Sequence, residues 1–535
     1  MGLTARDLEL ALGDPFREDA PVSFAALVEH DEREEPPSEA FAALRDCGAH
    51  AHLVPRMWGG RLTSFDELLA LVRVLSRRDL VLATGLGSTM LAAIPVWAWG
   101  GEAQRHEVAD LLIGRGAFGT FAVSERDAGS DFLATATKAE AVDGGYLLRG
   151  EKWLIGNASR CSFVVALART RPSLSLIYLR PDRTCRRLPR IRTLGLRGHD
   201  LGGLVFEDCR LPASALIEPG GRGMEMALTT LQFTRTMIAG MALGAADTAL
   251  RLALGWGCAR RLYGEPILAI PAVRALLLGS FLDILIGECV AMVTARALTL
   301  APRRTSLWAA AAKYLVPNLC ERVARDAAVV LSARSYLREG VAAGMFQKVA
   351  RDVAITSIFE GTQLVQLSLI AAQLGQLARA GRPADAPFDV DRLCDLSSPA
   401  PAWDPPGTRL RIGDPGRDEL VDRWFRADCP PPRPSPAGVE GAFSSLRERA
   451  ADLVDPRRYC TLHAAACCLQ VWSSNRERLA PEAAGGEWLA LCLERLAFGG
   501  DPPASGDLAE PVTAWMLRQL HDGELFSLAP LELAR

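Results

Sequence analysis

The stretch RDVAITSIFEGTQLVQ, residues 351–366, places a single carboxylate, Glu360, between the aromatic Phe359 and Gly361, which has no side chain. The stretch falls within a long segment with helical periodicity, and most glutamates on helices face water. An apolar setting instead raises the pKa of a carboxyl group towards neutrality, which makes the carboxylate a stronger base. Glu360 is therefore either a solvated surface charge, the usual case for a lone glutamate, or a base in a dry pocket.

The segments around this stretch have apolar residues at helical spacing. Four long amphipathic segments with short links between them predict a four-helix bundle over residues 223–385. These segments cover residues 224–264, 271–301, 306–335 and 346–380.

The rest of the chain divides by local composition. Residues 1–115 have helical spacing and predict an N-terminal helical domain. Residues 116–222 contain short β-branched or aromatic runs broken by Gly, Asp and Pro, which predict a central antiparallel β-barrel or sandwich. Residues 386–440 are rich in Pro, Asp and Gly and predict a linker or irregular covering structure. Residues 441–535 predict a C-terminal helical extension, so the whole fold is expected to be mostly α with a small β domain.

Bulk properties narrow the class of protein. The chain has 535 residues, enough for about two to four domains. Its net charge of -3 gives no reason to expect a nucleic-acid partner. The 13 cysteines include no CxxC pair, so neither a metal site nor a disulfide scaffold is expected, and a reducing cytoplasm fits best. We found no signal peptide and no uncharged apolar run of about 18 residues, so no membrane span is expected.

Five motifs occur in one order along the chain, and together they resemble the acyl-CoA dehydrogenase superfamily. The order of a helical domain, a β domain and a four-helix bundle resembles that superfamily as well. The motifs cover roughly residues 20–380. They are FAVSERDAGSD (121–131), LRGEKWLIGN (148–157), TLGLRGHDLGGLVFEDCRLPASALI (193–217), ARRLYGEPI (259–267) and RDVAITSIFEGTQLVQ (351–366).

The resemblance implies that Glu360 is the catalytic base, which removes a proton from the carbon α to a thioester carbonyl. Some family members place the base at the start of the bundle instead, and the matching residue here is Thr234, which cannot act as a base. Arg235 matches a family arginine near the base and the thioester. Ser130 matches a serine near the acyl thioester or pantetheine, so Ser130 and Arg235 are the implied substrate-binding residues.

The resemblance also implies FAD as the cofactor, bound against the β domain. Arg260 matches an arginine that binds the FAD pyrophosphate of a neighbouring subunit, and a planar guanidinium suits phosphate. Because the family's cofactor bridges subunits, a homodimer or homotetramer is implied. The implied cofactor-binding residues are Ser124, Trp153, Gly156, Asn157, Arg260, Tyr263 and Thr362.

The chain also departs from the family pattern. Gly156 stands where the family carries a threonine or serine whose hydroxyl reaches flavin N5. Residues 333–340 keep little of a family glycine-rich segment, and Arg126 and Asp127 replace the usual Pro-x of the family's T-E-P-x-A-G-S-D turn. These changes suggest a divergent branch and a setting in secondary metabolism.

Three functions remain open. The first is an FAD-dependent acyl-thioester dehydrogenase that passes electrons to an electron-transfer flavoprotein. The second is a flavin-dependent oxidase or monooxygenase on the same fold, and the third is a helical scaffold without catalysis. The acyl carrier is either coenzyme A or a carrier protein, which the arginine-rich run 180–192 would bind. The apolar run 90–99 is expected to wall the acyl pocket.

Overall fold

The N-terminal part of the chain is helical. The computed structural model describes residues 4–218, 220–380, 388–413, 418–425, 439–450 and 454–535. The first six helices are α1 (Ala5–Leu12), α2 (Phe24–Arg33), α3 (Ser38–Asp46), α4 (Phe65–Arg78), α5 (Leu80–Trp99) and α6 (Glu102–Arg115). The buried Asp79 begins α5, because its carboxylate accepts a hydrogen bond from the backbone N–H of Val81 at 2.8 Å.

A seven-stranded sheet follows. Its strands are β1 (Phe118–Ala122), β2 (Lys138–Val142), β3 (Gly145–Gly156), β4 (Cys161–Arg169), β5 (Leu174–Leu179), β6 (Cys185–Leu188) and β7 (Leu201–Pro212). They lie in the order β1-β4-β2-β3-β7-β6, with β5 paired to β4. The expected antiparallel pairing is found between β2 and β3, β3 and β7, β4 and β5, and β6 and β7, whereas β1 pairs with β4 in parallel and β2 meets β4 in parallel. A parallel pair needs a long crossover, and the β2–β3 hairpin lies within that connection.

The bundle contains three unbroken helices, α7 (Gly223–Ala259), α8 (Pro271–Leu300) and α9 (Thr305–Leu331). Two short strands, β8 (Arg261–Leu262) and β9 (Glu265–Pro266), form a hairpin after α7. The prediction of one continuous fourth helix was wrong. That segment forms α10 (Met345–Asp352), a 3-10 turn and then α11 (Gln363–Ala380).

The break in the fourth helix falls at Glu360. Glu360 and Gly361 have φ angles of 56° and 100°, in the left-handed region that ends a right-handed helix. Gly361 adopts this conformation without the steric cost of a Cβ, whereas Glu360 bears that cost. Glu360 therefore projects from a turn between two helices and not from a helix face.

Three helices are long and apolar enough, by length and composition, to cross a membrane: α5, α7 and α8. This contradicts the sequence expectation that no segment is apolar enough. In the most apolar 18-residue window of each helix, the buried share is 83% for α5, 100% for α7 and 89% for α8. Their apolar surface is covered by the rest of the chain, and they form much of its core.

The C-terminal extension packs onto the bundle. Its helices are α12 (Val390–Cys394), α13 (Glu419–Phe425), α14 (Val439–Ala450), α15 (Pro456–Asn475), α16 (Pro481–Ala484), α17 (Glu487–Phe498) and α18 (Ala509–His521). Arg495 of α17 holds Asp283 of α8 in a two-pronged ion pair with N–O distances of 2.7 and 2.8 Å. Asp418 accepts a hydrogen bond at 3.0 Å from the indole N–H of Trp308 in α9. The described parts of the predicted linker are therefore covering structure, whereas residues 386–387, 414–417 and 426–438 of that linker lie outside the described residues.

Candidate active site

A cavity of about 840 Å³ lies where the N-terminal helices, the sheet and the bundle meet. Apolar side chains of α4, α5 and α7 form much of its wall. Met90 and Leu91, at the start of the run expected to wall an acyl pocket, line the cavity, whereas Trp97 stacks on Trp58 in the protein core. The polar residues on the wall are His52, Thr84, Ser88, Thr120, Ser124, Ser130, Thr193, His199, Thr234, Arg235, Arg351, Glu360 and Thr362.

Glu360 is half-buried and lines this cavity. The hydroxyl of Thr234, on α7, donates a hydrogen bond to the Glu360 carboxylate. The guanidinium of Arg235 donates to the backbone carbonyl of Glu360 at 3.2 Å, and the amide of Gln366 donates to the carbonyl of Gly361 at 3.0 Å. Side chains from two helices thus fix the turn that carries Glu360 and the carboxylate itself.

The electrostatic setting of Glu360 favours a base. Burial raises the pKa of the Glu360 carboxyl, while the Thr234 hydrogen bond and the positive charges of Arg235 and Lys313 oppose that rise. Burial also lowers the pKa of Arg235 to about 10. A carboxylate with a raised pKa binds a proton more strongly, which is what proton abstraction from carbon requires.

Lys313 is a residue of this site that the motifs did not indicate. Its buried ammonium donates to the carbonyl of Thr356 at 2.6 Å and lies 3.5 Å from the carbonyl of Gly361, on the two sides of Glu360. Burial lowers the pKa of Lys313 to about 8. The signal in the sequence is one lysine inside the alanine-rich run WAAAAKYL (308–315), because a lone charge in an apolar helix needs partners.

Five of the predicted site residues on the sheet and bundle share the cavity with Glu360, among them Arg235 on α7. Ser124, Ser130 and Gly156 line its sheet side, and Thr362 follows the turn. The carbonyl of Ser124 accepts a hydrogen bond from the backbone N–H of Trp153 at 3.0 Å. The structure thus gathers motifs that are more than 200 residues apart into one site.

Trp153 and Asn157 have other surroundings. The guanidinium of Arg126 lies over the ring of Trp153, 5.1 Å from its centre. Asn157 is fully buried, and its amide donates to the carbonyls of Gly85 and Gly119 at 2.8 and 3.2 Å. Asn157 therefore fastens α5 to β1, and a direct contact of either residue with a cofactor stays a prediction.

Arg260 and Tyr263 lie apart from the cavity, exposed at the end of α7 and in the hairpin that follows it. The described chain does not bring them to Glu360. Such exposure is what a residue completing a neighbouring subunit's site would show, and that role stays a prediction.

The fold and the cavity together define an enzyme whose site is built at the junction of three domains. Sequence models of the acyl-CoA dehydrogenase N-terminal, middle and C-terminal domains match residues 17–113, 120–209 and 221–375. The human mitochondrial short-chain specific acyl-CoA dehydrogenase is 30% identical over 288 residues, which are 52% of this chain and 68% of that protein. The chain therefore belongs to the acyl-CoA dehydrogenase family and is an FAD-dependent oxidoreductase.

Other similar proteins agree with this assignment. The probable acyl-CoA dehydrogenase FadE25 of Mycobacterium tuberculosis is 27% identical over 353 residues, covering 65% of this chain and 90% of that protein. The butyryl-CoA dehydrogenase of Megasphaera elsdenii has the same fold, with a TM-score of 0.64 and 24% identity over 70% of this chain and 99% of that chain. The predicted family, fold class and enzyme class are confirmed.

Two further solved structures share the fold. An acyl-CoA dehydrogenase of Bacillus anthracis complexed with FAD covers 97% of this chain and 94% of its own, with a TM-score of 0.73 and 15% identity. The C-terminal extension is therefore part of a fold that another protein also has. The prolyl acyl carrier protein oxidase AnaB covers 69% of this chain and 97% of its own, with a TM-score of 0.62 and 20% identity.

The cavity fits a flavin ring. Its volume of about 840 Å³ lies in the range of roughly 300–1,000 Å³ that is usual for cofactor pockets. Gly156, at the end of β3, lines the cavity without a side chain of its own. Ser124 and Thr362 line the same cavity and carry hydroxyls, which can donate and accept hydrogen bonds.

Proposed function

We propose that this chain dehydrogenates an acyl-CoA between its α and β carbons, with Glu360 as the base that takes the α proton. The observation that carries the proposal is the Glu360 carboxylate, held by Thr234 in the cavity with a raised pKa. FAD, when bound, supplies the acceptor for the β hydride. The substrate loses one proton and one hydride in total, which leaves a 2,3-enoyl thioester.

The residues around Glu360 have separate parts in this reaction. Arg235 and Lys313 bind backbone carbonyls on the turn and hold Glu360 in place. Apolar residues of the cavity wall, such as Leu71, Met90 and Met237, suit an acyl chain and keep water from the carboxylate. Holding the base and the substrate in one fixed geometry lowers the entropic part of the barrier.

Oxygen is the alternative electron acceptor to an electron-transfer flavoprotein. Gly156 brings no hydroxyl to the strand beside the cavity, and a prolyl acyl carrier protein oxidase shares the fold. The retained Glu360 is compatible with both acceptors, because each needs the same proton removal. We favour the flavoprotein acceptor, since the relatives at 27–30% identity are named dehydrogenases.

Coenzyme A is the acyl carrier that we favour. The arginine-rich run 180–192 is less free to bind an acidic carrier protein than its sequence suggests. Three of its arginines, Arg180, Arg186 and Arg192, form ion pairs of 2.6–2.8 Å with glutamates of this chain. Because three of the six arginines of this run are paired in this way, the run attracts an acidic partner less strongly.

A second copy of the chain is expected at the end of the bundle that carries Tyr263. Arg334 stacks on Trp256 of α7 with its guanidinium 4.3 Å from the ring centre, which places residues 332–336 beside the end of α7. Tyr263 and Tyr336 are both almost fully exposed, and exposed aromatic residues are typical of interfaces. Light scattering during gel filtration is expected to give the mass of a dimer or tetramer.

The proposed function is tested with the purified protein. A flavin absorption spectrum is recorded first, and acyl-CoA and acyl carrier protein thioesters are then added without oxygen. Bleaching by acyl-CoA at rates well above those with carrier-protein thioesters supports the proposal. Stoichiometric peroxide release in air identifies an oxidase instead, and a protein without flavin contradicts both functions.

Replacing Thr234 with valine is expected to move the acid limb of the bleaching rate to higher pH. The Thr234 hydrogen bond lowers the pKa of Glu360, so its loss raises that pKa. The base acts when deprotonated, and activity is lost as pH falls through its pKa. The rate is measured against pH by stopped flow, with Thr230→Val as the control, since the Thr230 hydroxyl binds a carbonyl of its own helix. An unchanged limb in Thr234→Val would show that the hydrogen bond does not tune the base.

A further inference from the structure

Two polar side chains fill the space next to Gly156. A Cβ added at Gly156 would lie 2.6 Å from the hydroxyl oxygen of Ser88 and 3.1 Å from Nε2 of His199. Ser88 comes from α5 and His199 from the segment just before β7, and both line the cavity. Their polar atoms therefore occupy the place where a side chain on this strand would begin.

His199 has an unusual hydrogen-bonding state. It is 6% exposed, and its Nδ1 is buried without a hydrogen-bond partner in the described part of the chain. Burial and the charges of Arg160 and Arg190 lower the pKa of His199 to about 3, so the imidazole is neutral at ordinary pH. Of its two nitrogens, an unpaired acceptor is more easily tolerated than an unpaired N–H. We therefore assign the proton to Nε2, the nitrogen beside Gly156.

Ser88 complements this donor. Its hydroxyl is half-buried on the cavity wall and can both donate and accept. The two residues together offer a fixed N–H donor and an adaptable hydroxyl beside a strip of bare backbone. This arrangement suits the edge of a flat heteroaromatic ring whose atoms include acceptors and, after reduction, an additional N–H donor.

We propose that Ser88 and His199 form a paired hydrogen-bonding site for the redox-active edge of the flavin, and that this pair sets the affinity and reduction potential of FAD in this chain. The proposal rests on the function proposed above and deepens it. The Ser88 hydroxyl on α5 and the His199 imidazole before β7 then supply the hydrogen bonds that Gly156, which has no side chain, cannot supply. The sequence gives no sign of the pair, because the residues are more than 100 positions apart and neither belongs to the part of a motif that indicated a cofactor.

The test uses flavin-loaded protein with Ser88→Ala and His199→Leu. The readouts are the FAD dissociation constant, followed by flavin fluorescence, and the midpoint potential, followed by anaerobic titration with a reference dye. Each variant is expected to weaken FAD binding about tenfold, which is the effect of losing one hydrogen bond, and to make the potential more negative. Ser368→Ala and His106→Leu are matched controls on exposed helix surfaces and are expected to change neither quantity.

Moving the hydroxyl from position 88 to position 156 tests whether Ser88 contacts the flavin or has only a structural role. Gly156→Ser alone is expected to impair FAD binding, because its Cβ would lie 2.6 Å from the Ser88 hydroxyl. The double variant Gly156→Ser/Ser88→Ala removes the contact with the Ser88 hydroxyl, leaves the new Cβ 3.1 Å from Nε2 of His199, and returns a hydroxyl to the same side of β3. It is expected to recover FAD affinity to within about threefold of the original protein, which a structural role of Ser88 would not produce.

The outcomes distinguish this inference from the function on which it rests. Normal FAD affinity and potential in both single variants would overturn the inference and leave the dehydrogenase function standing. A parent protein that binds no flavin would overturn both. Should Ser88→Ala fail to fold, Ser88→Cys keeps the volume with a weaker donor and is expected to shift the potential in the same direction; an unshifted potential would again overturn the inference.

Discussion

Replacing Glu360 with glutamine is expected to slow the bleaching of the flavin by an acyl-CoA about a thousandfold. A general base contributes about 10²–10⁴ to a rate, and the proposed reaction has no other carboxylate on the polar wall of the cavity among the described residues. Glutamine keeps the length of the side chain, and its carbonyl oxygen still accepts the hydrogen bond from Thr234. The loss therefore reports the base and not a collapse of the site.

The measurement is single-turnover bleaching under anaerobic conditions. The flavin spectrum and FAD content of Glu360→Gln should match those of the parent protein. Glu477→Gln is the control, since Glu477 is exposed and follows α15, and it should bleach at the parent rate. Bleaching of Glu360→Gln at full rate would refute the assignment of the base.

The sequence predicted the long helices because their apolar spacing is continuous. α7, α8 and α9 begin and end within a few residues of the segments that showed helical periodicity. The parallel pairing of β1 with β4 was not predictable in this way, because strand periodicity carries no information on strand direction. A partner strand is chosen by tertiary packing and by the length of the connection.

The break at Glu360 was missed for a related reason. Helical spacing continues through residues 346–380, so local preference alone favours one helix there. The turn is stabilised by groups distant in sequence, such as Lys313 and Arg235, which bind its carbonyls. A backbone carbonyl that a helix would satisfy internally is satisfied here by a side chain from another helix.

Some residues of the candidate site could likewise be predicted from the sequence, and others could not. Glu360, Ser124, Ser130 and Thr362 could be found because each lies in a motif whose residues are adjacent in sequence. Lys313 and Ser88 could not, because they lie outside the motifs, and His199 could not, because the motif that contains it carried no prediction for that position. They come together only when the three domains meet, and among them His199 has a buried nitrogen, Nδ1, without a hydrogen-bond partner in the described part of the chain.

Replacing Lys348 with methionine is expected to destabilise the protein by about 3–5 kcal/mol, the usual effect of removing one partner from a buried ion pair. The ammonium of Lys348 lies 2.6 Å from carboxylates of both Asp79 and Asp352, and all three residues are 1% exposed. Asp352 also accepts a hydrogen bond from the backbone N–H of Leu196 at 2.6 Å. The lysine thus joins α5, α10 and the segment before β7, immediately ahead of the turn that carries Glu360.

The thermal unfolding midpoint measures this effect, with Lys138→Met as the control, because Lys138 is exposed on β2.

A buried carboxylate without a partner has a raised pKa in the folded state. The carboxylate therefore destabilises the folded state less as the pH falls and the group becomes protonated. The deficit of Lys348→Met should therefore be smaller at about pH 5 than at about pH 8. Lys348→Met/Asp352→Asn should be more stable than the single variant near neutral pH, because one unpaired charge has been removed. An equal deficit at both pH values, with no rescue by the second substitution, would mean that lost packing and not uncompensated charge is responsible.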